Sequence, residues 1–273
     1  MKIILSRKGF DSANGGIVSP IMEDGTLLSF PIPSDDVCTY DDLLYNNDSY
    51  SKILNDLKYK GKMTCHIDPD LNISRRKEAI DNWIPVFGQC DQSAGYLLNN
   101  VKVEQGDVFL FFGNYHRVAK VDGKYKYLKG TNDFYKDNDL QIIWGYLQVG
   151  KIITNRIEQE KYYWHPHSSA AFTSKKINVM FVAGERLSFN DKLTGAGLFK
   201  FSEDKVLTLK GRNKATWIKR DFYDVDSIIG RRNNSAVDKE NGIYYAGIWQ
   251  ELALKESTKA EAWVRSLFNG YQQ

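Results

Sequence analysis

Two short motifs place histidine beside other side chains that bind metals or transfer protons. The chain contains only 4 histidines, and two of them, His165 and His167, flank a proline in "WHPHS". A third, His66, lies two residues before Asp68 in "CHIDPD". Residues two apart face the same way on an extended segment, so each pair can converge on one target. We therefore predict these four residues as catalytic.

The sequence leaves three interpretations of the histidines open. Two imidazoles and a carboxylate are a familiar ligand set for zinc, manganese or non-haem iron, with coordination positions left for water or substrate. The same groups can act without a metal as general acids and bases. The third interpretation is structural, because Pro166 disfavours a regular central strand and is compatible with a simple turn. The sequence therefore specifies neither a metal nor a cofactor.

The motif "SRKGFDS" has the side chains of a phosphate-binding loop and follows a predicted strand. Arg7 and Lys8 can bind phosphate oxygens, and an arginine can do so through two parallel hydrogen bonds. Asp11 can orient a ribose hydroxyl or act as a general base, with Ser12 as a further hydrogen-bonding group. This interpretation makes Asp11 catalytic and the other three residues substrate-binding. The alternative is a solvated loop whose charges pair with each other.

Three further polar residues, Gln89, Asp70 and Glu251, are candidates for a functional site. Gln89, after Gly88, can read the edge of a base or a ribose, and we predict it as substrate-binding. Asp70 lies across a proline from Asp68, where it suits acid–base chemistry or a solvated turn. Glu251 in "WQEL" is a weaker site candidate, and a structural role is the simpler interpretation.

Two basic segments are candidates for contact with nucleic acid. The first, "KGRNKATWIKR", interleaves basic residues with a tryptophan, and the second is "GRRNN". Cationic side chains can follow a phosphate backbone while an aromatic ring stacks on a base. A solvated charged loop is the alternative. The residues predicted to contact nucleic acid are Arg212, Lys214, Trp217, Lys219 and Arg220.

Predicted strands and short helices position these motifs. Apolar and β-branched runs predict strands at "KIIL", "KMTCHID", "INVMFVA", "GLFKF" and "KVLTL", and a central strand at "LQIIWGYLQVGKIIT". Asp122-Gly123 predicts a hairpin within "GDVFLFFGNYHRVAKVDGKYKYL". Helices are predicted within "CTYDDLLYNNDSYSKILNDLKYKGK", from Ser74 in "SRRKEAIDNWI", in "DQSAGYLL", and at the C-terminus, where Thr258 and Glu261 have capping-box spacing. Strands outnumber helices without regular alternation, so the predicted class is α+β, with a mixed, largely antiparallel sheet and several short helices.

Composition limits the class of protein. The chain has 273 residues, of which 42% are hydrophobic and 26% charged, and no repeat or linker divides it, so we predict one domain over 1–273. No run approaches the ~20 apolar residues of a membrane span. The opening "MKIILSRKGF" turns polar too early for a signal peptide, so we expect a cytoplasmic location and no membrane partner. A net charge of +3 is too small to imply a polyanionic partner by itself, and the oligomeric state is left open.

The motifs together carry a family resemblance. "MKIILSRKGFDS", "HIDPDL", "FGQ", "GDVFLFFG", "WGYLQV", "HPH" and "WQE" occur in this order, and the chain resembles the third type of nucleotide modification associated domain over most of its length. The resemblance implies a bacterial or phage setting in which modified bases of DNA are made or handled, with nucleotide or DNA as the partner. "HRVAK" departs from the family pattern, so no role is implied for His116 or Arg117. The site positions that the resemblance implies are Arg7, Lys8, Asp11, His66, Asp68, Gln89, His165 and His167.

Two functions from different classes follow. The first is an enzyme of nucleotide or DNA-base modification, in which Arg7 and Lys8 bind phosphate while aspartates and histidines supply acid–base or metal chemistry. The second is a binding module without catalytic activity that recognises modified bases in DNA. The sequence does not decide between them, and it identifies neither the base nor the reaction.

Overall fold

The structure is a computed structural model, and it describes residues 1–223, 227–230, 237–238, 242–244 and 250–271. Strands dominate it. In chain order they are β1 Ile3–Arg7, β2 Ser19–Ile21, β3 Ile32–Pro33, β4 Leu44–Tyr45, β5 Asp48–Ser49, β6 Cys65–His66, β7 Val86–Cys90, β8 Val108–Val121, β9 Lys124–Tyr127, β10 Leu140–Ile153, β11 Asn178–Ala183, β12 Arg186–Leu187, β13 Asn190–Thr194, β14 Ala196–Leu198, β15 Thr216–Ile218, β16 Val237–Asp238, β17 Gly242–Tyr244 and β18 Glu251–Leu254.

The helices are short. They are α1 Tyr50–Asp56, α2 Asp91–Gly95, α3 Phe134–Asp137, α4 Arg156–Gln159, α5 Ala170–Thr173 and α6 Thr258–Ser266. A π-helical turn, Tyr96–Val101, continues α2, and 3-10 turns lie at Tyr40–Asp42, Ile73–Arg75, Pro166–Ser168 and Glu203–Lys205. Within the described ranges, no helix combines the length and the apolar character that a transmembrane span requires.

A nine-stranded sheet forms the centre of the fold. Its main order is β18-β1-β8-β10-β11-β7, and β2, β9 and β14 add to β8 and β10. Strand β8 pairs in parallel with β1 and β2, whereas the other pairings of this sheet are antiparallel. The predicted α+β class, with a mixed and largely antiparallel sheet, is confirmed.

Apolar side chains cover both faces of this sheet. Successive residues of a strand point to opposite faces, so Phe109 and Phe111 of β8 lie in one core and Val108 and Leu110 lie in another. Phe87 of β7 packs across the first face, with ring centroids 4.9 Å from Phe109 and 5.1 Å from Phe111. Burial of each phenylalanine side chain contributes about 1.5–3 kcal/mol to stability relative to exposure. The ring contacts therefore help to hold β7 in place relative to β8. The residue after Phe87 lies in the candidate site.

The predicted long strands are confirmed. Strands β8 and β9 form the predicted hairpin, in which Asp122 and Gly123 have φ values of 52° and 75°. These positive values are those of a tight hairpin turn. Strand β10 is buried along most of its length and pairs with β8, β11 and β14. The helices predicted within 38–62 and at 91–98 are also present.

The helix predicted from Ser74 is wrong. Only the 3-10 turn at 73–75 forms there, and the chain then wraps around Asp70. The Oδ2 atom of Asp70 accepts hydrogen bonds from Nη2 of Arg76 at 2.9 Å and from Nε1 of Trp83 at 2.8 Å. These charge-assisted contacts outweigh the modest helix propensity of the segment. The same contacts give Asp70 a structural role.

Two smaller predictions differ from the structure. The segment "KVLTL" forms no regular strand: it follows the turn at 203–205 and contacts its neighbours through isolated bridges, such as Ile142–Val206. The cap of the C-terminal helix lies one residue before the predicted cap, Thr258, because Ser257 is the N-cap and its side chain accepts from the N–H of Ala260 at 3.5 Å. A serine and a threonine in sequence offer two starts, and packing of the helix selects the first.

Candidate functional site

His66 is positioned by the two-stranded sheet of β3 and β6, where it pairs with Ile32. The loop after β3 brings Asp36 back to the ring, and Oγ of Ser34 donates to Oδ2 of Asp36 at 2.9 Å. The same Oδ2 lies 2.5 Å from Nδ1 of His66. A carboxylate only accepts, so Nδ1 of His66 carries the hydrogen and donates it. Nε2 is therefore the ring nitrogen that remains for chemistry.

Asp68 is buried among donors. Its side chain is only 3% exposed, and its Oδ1 accepts a hydrogen bond from the backbone N–H of Gly88 at 2.6 Å. Nζ of Lys8 lies 3.3 Å from Oδ2, and the same ammonium stands 4.5 Å from the centroid of the Phe87 ring. Lys8 thus supplies the charge that a buried carboxylate requires.

The "HPH" motif forms the 3-10 turn at 166–168, and His165 begins it. Nδ1 of His165 accepts from the backbone N–H of His167 at 3.3 Å, so Nε2 of His165 carries the ring hydrogen. That Nε2 lies 3.3 Å from Oδ1 of Asp68 and has no hydrogen-bond partner among the described residues. His165 therefore positions the turn and adds a donor beside Asp68.

His167 is fixed from both sides of its ring. Nδ1 lies 2.7 Å from Oδ1 of Asn178, whose amide nitrogen donates to Oε1 of Gln159 and to the carbonyl of His167, each at 2.9 Å. The amide orientation makes Nδ1 of His167 the donor and leaves Nε2 for the site. A Cβ atom at Gly88 would lie 2.4 Å from Cγ of this ring. Only glycine at 88 lets the ring approach β7 this closely.

These residues meet in one cluster. His66, Asp68 and His167 each offer a potential metal-ligand atom, and these atoms lie within 4.8 Å of one another. The rings of the two histidines are 5.3 Å apart between centroids, and Phe172 covers both, at 5.1 Å from His66 and 4.3 Å from His167. The structure thus brings together "HIDPD", "HPH" and, through Lys8, one residue of "SRKGFDS".

The electrostatics of the cluster separate an ionised carboxylate from a neutral imidazole. Burial opposes ionisation of Asp68, but the charge of Lys8 and the neighbouring histidines outweigh it and hold the pKa of Asp68 well below its usual range. Burial lowers the pKa of His167 to about 3, against the opposing effect of Asp68. Burial also opposes ionisation of Asp36, yet the hydrogen bond with His66 outweighs it and lowers the pKa of Asp36.

The remaining polar residues of "SRKGFDS" lie in other contacts. Arg7 and Lys8 are consecutive, but Nη2 of Arg7 lies 3.5 Å from Oδ2 of Asp11 whereas Lys8 contacts Asp68. Asp11 also accepts from backbone N–H groups of its own loop. Ser12 lines a separate hollow. The loop therefore matches the alternative interpretation of internally paired charges, with Lys8 as its contribution to the cluster.

Gln89 and Glu251 form a second buried polar group. Nε2 of Gln89 donates to Oε1 of Glu251, and Oγ of Ser6 lies 3.4 Å from the same oxygen. Glu251 is 0% exposed and Gln89 is 6% exposed. The amide of Gln89 is committed to a buried carboxylate, so base reading by Gln89 would require this contact to open.

The prediction that Trp217 stacks on a base is wrong. Its side chain is 2% exposed, and its ring packs edge-on against Phe112 with the centroids 5.0 Å apart. Nε1 of Trp217 donates to Oε1 of Gln141. Because both faces of the indole are covered by protein, Trp217 is part of the core that contains Val108 and Leu110.

The basic residues around Trp217 differ in their exposure and in their contacts. Nζ of Lys214 lies 3.0 Å from Oδ2 of Asp139, and the guanidinium of Arg220 stands 5.0 Å from the ring centroid of Trp263. The exposed cations of the segment are Lys210, Arg212 and Lys219. Three further positions of the basic segments and the "WQE" motif, Arg231, Arg232 and Trp249, lie outside the described residues.

His116 lies in a different environment from the clustered histidines. Nδ1 is 2.9 Å from Oδ1 of Asp139, and Nε2 is 2.7 Å from the carbonyl oxygen of Leu128. Both ring nitrogens therefore face acceptors, which the imidazolium form satisfies with two N–H donors. His116 has no nitrogen left for a metal or a substrate.

A narrow cavity adjoins the cluster and contains residues that the sequence analysis missed. Its lining includes Lys8, Asp68, Arg75, Tyr50 and Trp144. Within the described part of the chain, the buried Tyr50 hydroxyl and Trp144 Nε1 have no hydrogen-bond partner. Arg75 also lines a wide neighbouring groove, so it stands where groove and cavity meet.

The signals for these residues were weak in the sequence. Arg75 lies in "SRRKEAIDNWI", which was interpreted as a helix, and Trp144 lies in a continuously apolar strand. Asp36 and Asn178 lie 30 and 11 residues from the histidines that they orient, so the local sequence does not pair them. Only the two adjacent arginines shortly after "HIDPD" offered a usable hint of charge near the site.

Comparison with known proteins gives one match. The family model described as "Nucleotide modification associated domain 3" matches residues 2–261. No curated protein and no solved structure matches the chain.

Proposed function

Because the chain belongs to the nucleotide modification associated domain 3 family, we propose that it is an enzyme that modifies a nucleotide or a base of DNA. The main support for this proposal is that His66, Asp68 and His167 converge in one buried cluster. Two of these residues lie about a hundred residues from the third along the chain, so only the fold brings them together. A buried group of convergent polar side chains beside a cavity is typical of an active site.

The proposed substrate pocket is the wide groove together with the narrow cavity beside Asp68, with the nucleotide in the groove and only an edge of its base directed at the cavity. Tyr50 and Trp144 present polar atoms without partners among the described residues, and a buried polar group left unsatisfied costs about 1–3 kcal/mol. The edge of a nucleobase carries donors and acceptors that can meet them. Arg75, at the junction with the groove, is placed to bind the phosphate of the same nucleotide. It takes the role that the sequence suggested for Arg7.

The cluster supplies acid–base chemistry to that pocket. Asp68 lines the cavity and stays ionised beside Lys8, so it can accept a proton or orient a polarised substrate group. His66 and His167 each keep Nε2 available because their Nδ1 atoms are held by acceptors. Phe172 covers the rings and limits water, which strengthens electrostatic interactions in the site.

The test compares two histidine variants of the full chain. Purified wild type, His167→Gln and His116→Gln would be incubated with deoxynucleotides, unmodified DNA and DNA with modified bases, with divalent metal salts present. Mass spectrometry of the nucleosides should detect a product with the wild type and with His116→Gln. Loss of a catalytic group reduces turnover about 10²–10⁴-fold, so His167→Gln should give none at matched times.

Three results would overturn or redirect this proposal. Full turnover by His167→Gln removes the cluster from catalysis. Absence of both product and binding with the wild type rejects the proposed substrate class. Binding without product, with a preference for modified DNA that His167→Gln loses, would assign the protein to the second class as a reader of modified bases.

A further inference from the structure

The clustered histidines have the orientation of metal ligands. In metal sites, the ring nitrogen that does not bind the ion usually donates to a carboxylate, a carbonyl or a water. His66 donates through Nδ1 to Asp36 at 2.5 Å, and His167 donates through Nδ1 to Asn178 at 2.7 Å. In the described structure, neither Nε2 atom has a hydrogen-bond partner. Each ring is thus held through Nδ1, and its Nε2 points away from the side chain that accepts this hydrogen bond.

Asp68 supplies a carboxylate as the third potential ligand, beside the two histidines. A carboxylate oxygen has two acceptor sites, so Asp68 offers about four in all. The N–H of Gly88 and the ammonium of Lys8 occupy one on each oxygen, and further lone pairs remain. His165 does not join the set, because its Nδ1 accepts from the backbone and its Nε2 carries the hydrogen. It is a positioning residue for the turn.

From this geometry we propose that Nε2 of His66, Nε2 of His167 and a carboxylate oxygen of Asp68 bind one divalent first-row transition-metal ion. Nitrogen donors favour zinc, iron or manganese over magnesium or calcium. Three protein ligands leave at least one position for water or substrate, as in catalytic rather than structural sites. The role of the ion in turnover rests on the proposed function, whereas its binding does not.

The separations in the cluster fit such an ion after a small closure. One ring nitrogen of each histidine and one oxygen of Asp68 lie within 4.8 Å of one another, and an ion equidistant from atoms that far apart sits about 2.8 Å from each. Inward shifts of about 0.7 Å then reach the ~2.1 Å bonds of zinc to nitrogen and oxygen. Rotation of two imidazole rings about their Cβ–Cγ bonds is enough for movements of this size.

The surroundings favour retention of the ion. Phe172 packs against both rings, and His167 is 3% exposed, so little water reaches the ligands. The supports are themselves fixed, because Ser34 donates to Asp36 and Asn178 donates to Gln159. Loss of such an outer hydrogen bond typically lowers metal affinity 10–100-fold.

Cobalt binding to the full chain tests the site without any substrate. Protein stripped with chelator would be titrated with Co²⁺ alone, following visible absorption and, by elemental analysis after desalting, the bound metal. The wild type and His116→Gln should each bind one equivalent. His66→Gln and His167→Gln should lose it, and Asp36→Asn, which keeps the fold contacts but weakens the acceptor, should raise the Kd about 10–100-fold.

Circular dichroism of each variant shows whether a loss of cobalt binding reflects a missing ligand or an unfolded protein. Loss of cobalt in a folded His66→Gln or His167→Gln, with retention in His116→Gln, supports the site. Stoichiometric binding by both cluster variants, or no binding by the wild type, overturns it. If either cluster variant fails to fold, Asp68→Asn serves in its place, and unchanged affinity there is equally contradictory. One equivalent of cobalt together with no nucleotide product would retain the metal site and reject the proposed function.

Discussion

Two regions of the molecule use histidine in opposite ways. At His116 both ring nitrogens face acceptors, Asp139 and the carbonyl of Leu128. At His66 and His167, among the residues that the structure describes, only Nδ1 meets an acceptor. The first arrangement satisfies an imidazolium completely and has nothing left to offer a ligand. The second holds an imidazole in place and leaves Nε2 to act. Counting the partners of both nitrogens therefore distinguishes a structural histidine from a functional one.

The electrostatics of the two regions agree with this difference. Burial opposes the charged form of His116, but Asp139 and the carbonyl of Leu128 outweigh it and raise the pKa of His116. Burial of His167 is stronger and lowers its pKa to about 3. One region thus stabilises a cation, and the other keeps an imidazole neutral, which is the form that binds metals and accepts protons.

The largest expected effect is the difference in stability between removing the carboxylate of one region and removing that of the other. Asp68→Ala leaves Lys8 in a buried position without its partner and removes the acceptor of the Gly88 N–H, so the free energy of unfolding should fall by about 3–5 kcal/mol. Asp139→Ala removes a side chain that is 40% exposed, and the loss should be about 1 kcal/mol or less. Urea denaturation of both variants makes the comparison, and equal losses would contradict it.

Gly88→Ala should damage the cluster without changing any of its donors. The new Cβ would lie 2.4 Å from Cγ of His167, so the ring must shift, at a cost of about 1–3 kcal/mol. Cobalt affinity and turnover should fall together. Gly95→Ala is the matched control, since its Cβ would meet its nearest neighbour only at 3.7 Å. If Gly88→Ala behaves like Gly95→Ala, the close approach of the ring is not required.

Arg75→Ala should weaken nucleotide binding more than Arg7→Ala. Arg75 lines the cavity and the groove, and a charge-assisted hydrogen bond to phosphate contributes about 1.5–3 kcal/mol. The Kd of a deoxynucleotide should therefore rise about tenfold or more. Arg7 is already paired with Asp11, so its removal should have a smaller effect. Titration calorimetry measures both Kd values. A larger increase for Arg7→Ala would indicate that the phosphate binds at "SRKGFDS" instead.

The smallest expected effect is a pH dependence at His116. Because the folded state raises the pKa of His116, its contribution to stability is complete below the unfolded pKa of about 6.5 and disappears as pH rises through the folded value. His116→Gln should therefore be destabilised relative to wild type at pH 5.5 and much less so at pH 9. Thermal melts at both pH values test this, and a pH-independent difference would show that His116 is not held as a cation.

Much of the fold follows from local sequence signals. Asp122-Gly123 specifies the hairpin, and the long apolar run of β10 specifies a strand covered on both sides. The helix predicted from Ser74 failed because Asp70 draws Arg76 and Trp83 around itself, which is a tertiary effect. Trp217 was misjudged because its basic neighbours suggested exposure, while its ring lies in the core.

The candidate site was predictable only in part. His66 with Asp68, and His165 with His167, have two-residue spacing, and the structure places these residues close together. Sequence spacing did not separate His165, whose Nδ1 is occupied by a backbone N–H, from His167. Nor did it identify Asp36, Asn178 or Gly88, because their roles depend on contacts between distant segments.

One measurement addresses the cluster directly: anomalous scattering from crystals of the full chain grown with Co²⁺, collected above and below the cobalt absorption edge. The proposed metal site predicts a single strong peak about 2 Å from Nε2 of His66, Nε2 of His167 and one carboxylate oxygen of Asp68. A peak at His116 and Asp139 instead, or a cluster without anomalous signal at full cobalt saturation, would contradict it.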